Sequence, residues 1–299
     1  MFDRILLVLD DLGDPAVVLP HLRVIARAAD SHVVIMKTVP FLESLAEMPH
    51  ELSPLQEGDD EAAEIYVSGL VEKLKGEGFD VEGFANIGRS GLSIAAAAER
   101  VEASLIIIAS TRAWSRVGTL LRATSIPVYV IPPNVVAFRG RTLVPIDRTE
   151  GSLDVLGAAA SLALACSSGI TMMQGWGPEP EPVLLETCSV LRREGIPAEL
   201  ILRPGDPSTE IVRACVDLQV GQFAMRSDGT AGGVIDRLLH RLPVPLLVVR
   251  RALVAPAKST GAFRAPLQLH TEVPVGVAMW TRRTPSNPLL GSGGIGSLS

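Results

Sequence analysis

Aromatic residues make up only 4% of this 299-residue chain, so whatever core it builds is made of Val, Ile, Leu and Ala. An excess of basic charge is also missing. The net charge is −6, and a general nucleic-acid surface needs a basic face. There are three cysteines, Cys166, Cys188 and Cys215, with no CxxC spacing and no metal-type cluster. They read as small buried apolar groups in a reducing cytoplasm. No apolar run announces a membrane. "ILLVL" near the start is short and meets Asp10 and Asp11 at once. Residues 155–173 are uncharged, but they read as a helix ending near Ser167, a break at Ser168-Gly169, and a strand. Catalytic spacing is absent as well. "GRSGLS", 88–93, is not the GxSxG nucleophile elbow, and the five histidines show no HExxH pattern.

What is present is a unit written twice. "RILLVLD" from Arg4 and "RTLVPID" from Arg141 are offset by 137 residues, as are "SHVVIM" from Ser31 and "SGITMM" from Ser168. Further on, Gly88 with Gly205 and Ser110 with Ser227 are offset by 117, and Pro127 with Pro245 by 118. Steady offsets of this kind mark a duplication. About twenty extra residues in the first copy, around 41–60, read as a polar loop or lid.

Each copy alternates short β-branched runs with helical stretches. Strands are expected near 4–10, 32–39, 80–87, 104–109 and 127–132, and again near 142–147, 169–174, 197–203, 221–226 and 244–249. Helices of the first copy are expected near 15–30, 59–76, 91–102 and 116–124. Asp14-Pro15 and Asp206-Pro207 have the form of an N-cap followed by proline at the first helical position. Apolar runs such as "LIIIA" and "PLLVV" suit parallel strands buried on both faces. The expected organisation is a first domain over 1–133, a linker over 134–140, a second domain over 141–252 and a Pro/Gly/Ser-rich tail over 253–299 that reads as mostly disordered. "GSGGIG" in that tail matches GxGxxG in form only, since no strand precedes it.

The chain resembles the universal stress protein family. "LVPIDRTEGSL" (143–153), "GDPSTEIVRAC" (205–215), "FAMRSDG" (223–229) and "RLPVPLLVVR" (241–250) are similar to that family's opening strand and aspartate, its glycine after strand three, and its last two strands. The first copy matches through "ILLVLDD", "SLIIIAS" and "TSIPVYVI". The resemblance implies an α/β fold. It consists of two tandem doubly wound domains, each a five-stranded parallel sheet in the order 3-2-1-4-5 with helices on both faces. It also implies that the fifth strands, otherwise exposed apolar edges, pair about a two-fold axis. Here that would be an intramolecular pseudo-dimer, or a homodimer of the chain.

In an open sheet of that order, ligands sit at the carboxyl ends of strands one and four. The resemblance places an adenosine beside the strand-one aspartate, Asp10 or Asp147, and phosphates on a G-x2-G-x9-G-(S/T) loop. The sequence departs from that loop twice. In the first copy Ala109 and Arg112 replace glycines, and Trp114-Ser115 stands at the final pair. In the second, Arg226 replaces the first glycine, while Ser227, Gly229 and Gly232-Gly233 remain on a shortened loop. A triphosphate needs the full loop of backbone N–H groups. The candidate nucleotide- or anion-binding residues are therefore Asp147, Ser227, Gly229, Gly232 and Gly233, with Asp10 and Ser115 as remnants. The aspartates serve equally well as turn-forming caps. No cofactor is expected, with ATP or AMP in the second copy as the alternative. The functional expectation is a non-enzymatic, cytoplasmic stress-response or regulatory protein acting through association with an unidentified protein partner. The alternative is a nucleotide-binding module with weak hydrolysis. No nucleic-acid or membrane partner is expected.

Overall fold

The computed structural model describes residues 2–9, 15–39, 54–88, 90–109, 114–132, 135, 140–147, 152–227, 234–239, 241, 244–250, 267–270 and 279–282. Apolar strands alternate with amphipathic helices through most of that length. In the first half β1 (Arg4–Leu9), β2 (His32–Val39), β3 (Val81–Ile87), β4 (Leu105–Ala109) and β5 (Val128–Ile131) are joined through α1 (Pro15–Ala29), α2 (Pro54–Gly76), α3 (Gly91–Arg100) and α4 (Trp114–Ala123). In the second half β6 (Thr142–Ile146), β7 (Ile170–Gln174), β8 (Ala198–Leu202), β9 (Gln222–Ser227) and β10 (Leu246–Arg250) are joined through α5 (Val155–Ala165), α6 (Pro182–Arg193), α7 (Pro207–Asp217) and α8 (Val234–Leu239).

The ten strands form one sheet in the order β3-β2-β1-β4-β5-β10-β9-β6-β7-β8. Each half has the expected order 3-2-1-4-5 with parallel neighbours. Between the halves β5 and β10 run antiparallel, with Leu246 opposite Val130, Leu247 opposite Tyr129 and Val248 opposite Val128. Tyr129 and Leu247 are each the second residue after the equivalent prolines Pro127 and Pro245, so like positions face each other across this seam. Helices cover both faces because the strands are apolar on both. One core cluster includes Leu7, Ile107 and Tyr129 with Val144, Ala158 and Leu247, and the other includes Leu6, Ile106 and Val128 with Leu143, Phe223 and Leu246. Each layer therefore runs through the seam.

Local chemistry explains the ends of the elements. Gly88 and Gly205, equivalent positions after β3 and β8, have φ of 114° and 147°, a backbone region that side chains disfavour. Ser90 then caps α3 by accepting from Ser93 N–H at 3.0 Å, which accounts for the GxSG pattern without a nucleophile. Asp206 caps α7, with Pro207 in the first turn, as expected. Two features differ from the sequence reading. Helix α2 begins at Pro54, inside the stretch read as loop, and presents Val67, Leu70 and Leu74 to the core at helical spacing. The tail contains a two-stranded antiparallel ribbon, β11 (Leu267–His270) and β12 (Met279–Arg282), where "LQLH" supplies a two-residue alternation. The uncharged stretch 155–173 divides into α5 and β7, and among the described residues no helix is long and apolar enough to cross a membrane.

His32 on β2 lies between two carboxylates, with Nδ1 2.8 Å from Asp80 Oδ2 and Nε2 3.1 Å from Glu82 Oε1. Partial burial pulls its pKa down, the two hydrogen bonds outweigh that, and the net shift is upward from 6.5. A raised folded pKa means that this contribution is complete below the unfolded value and is lost as pH rises through the folded one. His32→Gln is therefore expected to lower the melting temperature more at about pH 5.5 than at about pH 8.5. Equal losses at the two pH values would remove the charged pair from the account.

Candidate functional site

The sheet order reverses its winding between β6 and β9, and a cavity of about 180 Å³ opens at the carboxyl ends of these strands. Its floor is apolar: Ile146 from β6, Met173 from β7, Met225 from β9, Ile211 from α7 and Val234 from α8. Its polar rim is Asp147, directly after β6, with Arg203, directly after β8, and Arg226 on β9. Trp176 closes one side from the β7–α6 loop.

That loop is held from beneath by Gln174, which is 1% exposed. Its Nε2 donates to the carbonyls of Trp176 at 2.7 Å and Glu179 at 2.9 Å, and its Oε1 accepts from Glu181 N–H at 2.9 Å. Trp176 Nε1–H donates to Glu181 Oε1 at 3.1 Å, so the indole's orientation is fixed as well. Arg203 forms an ion pair with Asp217, Nη2 to Oδ2 at 3.0 Å, and its backbone N–H reaches the Gln174 carbonyl. Outside the lining, directly before Pro207, the Asp206 carboxylate accepts from the hydroxyl of Ser208 and from the hydroxyl and N–H of Thr209, which holds its pKa down at about 2. The site thus couples an apolar floor to two guanidinium groups and one exposed carboxylate. Such a lining suits a small amphipathic anion held by charge and shape. Among the described residues no group of three or more His, Cys, Asp or Glu is arranged to hold a metal ion.

Of the residues singled out from sequence, Asp147 and Arg226 line the cavity. Ser227 is buried at the end of β9 and is not part of the lining. Asp10, Gly229, Gly232 and Gly233 lie outside the described residues, as does Asp14 of the first proposed cap. Ser115 lies in the first turn of α4, and its side chain is outside the described set. Sequence reasoning missed Trp176, Arg203 and the two methionines of the floor. The available signal was a rare residue in a turn: Trp176 is one of only three tryptophans and stands between two glycines. The cysteines are placed as expected: Cys188 and Cys215 are buried, Cys166 partly so, and burial pushes the thiols of Cys166 and Cys215 up to about 12.

The fold is a doubly wound α/β unit present twice, and the comparisons agree with it. A family model described as "Universal stress protein family" matches residues 1–132. A universal stress protein from Archaeoglobus fulgidus is similar in structure, with a TM-score of 0.65 and 18% identity over 83% of this chain and 96% of that one. A putative universal stress protein from Pseudomonas aeruginosa UCBPP-PA14 gives a TM-score of 0.58 at 16% identity, covering 83% of this chain and 93% of its own. A functionally unknown protein from Pseudomonas aeruginosa PAO1 gives 0.59 at 17%, covering 83% and 92%. At these identities the likeness is one of fold, and it extends across both halves. A search of curated proteins finds no match.

Proposed function

We propose that the chain is a non-enzymatic, cytoplasmic protein of universal-stress type that acts in stress response or regulation through association. In this reading it consists of two tandem units, 1–133 and 141–252, joined by 134–140 and followed by a tail over 253–299. The units act as an intramolecular pseudo-dimer, with the β5–β10 pairing in favour. ATP binding is absent from the first unit and weak or absent in the second. The observation that carries this is Arg226, which brings a side chain to the cavity where the phosphate loop's first glycine would leave room. The volume, about 180 Å³, points the same way, because pockets for small molecules usually exceed about 300 Å³.

The second reading is a nucleotide-binding module with weak hydrolysis, its site in the second unit. It is favoured by Asp147, which keeps its place at the strand end and on the rim of the cavity. Calorimetric titration of the full chain with ATP and AMP, with and without magnesium, separates the two. The expected result is binding no tighter than about 1 mM, equivalent to about −4.1 kcal/mol. Micromolar binding abolished by Asp147→Ala would overturn the first reading in favour of the second.

A further inference from the structure

Among the described residues one chain of buried polar groups crosses the seam between the halves, and at its exposed border Arg250 on β10 donates to the Arg122 carbonyl on α4. His21 on α1 directs Nε2 to the carbonyl of Val135 at 3.1 Å, between the halves. Its Nδ1 lies 3.5 Å from the Tyr129 hydroxyl on β5. That hydroxyl donates to Gln222 Oε1 on β9 at 3.2 Å. Gln222 Nε2 in turn donates to Thr142 Oγ1 on β6 at 2.8 Å and lies 3.8 Å from Cys166 Sγ. His21, Tyr129, Gln222 and Thr142 are at most 1% exposed, so each of these groups depends on protein partners.

The chain is asymmetric in a way the repeat makes visible. Ile5 pairs with Val33 and Leu105, and Thr142 pairs with Ile170 and Gln222. Thr142 and Gln222 are therefore the counterparts of Ile5 and Leu105. By the same repeat the counterpart of Tyr129 is Leu247, that of His21 is Ala158, and that of Cys166 is Ala29. The first half brings His and Tyr where the second brings Ala and Leu. The second half brings Gln, Thr and Cys where the first brings Leu, Ile and Ala.

We infer that this polar chain is a pairing key. It selects the union of a first half with a second half and discriminates against like-with-like union. If two first halves joined through β5, the Tyr129 hydroxyl would meet Leu105 in place of the Gln222 carbonyl. If two second halves joined through β10, the Gln222 carbonyl would meet Leu247 in place of a donor. Either wrong union leaves a buried polar group without its cross-seam bond, and that penalty is what separates partners of similar apolar surface. The partner this surface fits is thus the chain's own other half, and the edge is closed to a second copy. The inference rests on the reading of the two units as a pseudo-dimer and is independent of any ligand.

A protease site inserted after Val136 allows the folded chain to be cut between the halves, leaving both pieces present. After equilibration at high concentration, native mass spectrometry counts the three kinds of pair. The cut wild type is expected to give only mixed pairs. The cut variant His21→Ala/Tyr129→Leu/Gln222→Leu, with the key removed, is expected to approach a statistical mixture, about half of it like-with-like. Exclusive mixed pairing in the variant overturns the key while leaving the pseudo-dimer intact. Separation of the cut wild type into unpaired halves overturns the pseudo-dimer itself. In the uncut chain, a cycle of Tyr129→Phe and Gln222→Leu gives an independent reading. The double variant should lose less stability than the two singles added together, and strict additivity overturns the coupling even if the cut variant fails to fold.

Discussion

Leu247→Asp is expected to unfold both halves in a single transition. Leu247 is fully buried, faces Tyr129 across the seam, and belongs to a core layer that includes residues of both halves. A carboxylate there has no cation to pair with in the strand register, and burying an uncompensated charge costs about 3–5 kcal/mol or more. Domains are stable by about 5–15 kcal/mol, so the loss is a large share of the total. Urea denaturation followed by far-ultraviolet circular dichroism is the measurement. The expected outcome is one transition moved far toward lower urea. Two separated transitions, with half the signal melting at the wild-type midpoint, would show that the halves fold independently of the seam.

Gly91→Ala is expected to be the next most damaging change. Gly91 opens α3 where that helix crosses α4, and an added Cβ would lie 2.3 Å from Leu120 N, 2.6 Å from Arg116 O and 2.8 Å from Thr119 C. All three are backbone atoms, so relief requires moving a helix and not merely turning a side chain. Overpacking of this kind costs about 1–3 kcal/mol, or about 2–4 °C of melting temperature per kcal/mol in a protein of this size class. Gly69→Ala on the exposed face of α2 is the control, since no atom lies within 4 Å of its added Cβ. It removes a flexible residue from a helix and should raise the melting temperature slightly. A Gly91→Ala variant as stable as Gly69→Ala would mean that α3 and α4 are less closely packed than described.

The sheet was legible in the sequence because its signal is carried by many residues at once. Runs such as Leu105–Ala109 are apolar on both faces, and the repeat supplies each of them twice, so strand ends fall within a residue or two of expectation. Asp147 was legible because a strand-one carboxyl end in this order can only open on the switch point. Trp176 and Arg203 were not. They follow β7 and β8, and nothing in their local pattern indicates that the Gln174 hydrogen bonds fold the intervening loop over the cavity. The cross-seam chain was hidden for a different reason. Tyr129 and Gln222 are unremarkable strand residues in sequence, lying 93 positions apart, and only the antiparallel join brings them to 3.2 Å. The start of α2 was misplaced because the polar residues before Val67 resemble a loop in composition, whereas the helix needs only one apolar stripe.

The antiparallel meeting of β5 with β10 also fixes a polarity for the whole molecule. Strands within each half run parallel, so their carboxyl ends gather along one border of the sheet. Across the join that direction is reversed. The crevice of the second half therefore opens at one pole, and the corresponding border of the first half faces the other, with roughly 17 Å of strand between them. A molecule captured at one pole has no direct line of touch to whatever is met at the other. Any message between them has to travel through the packed layers, as it would through the wall between two rooms with doors on opposite streets.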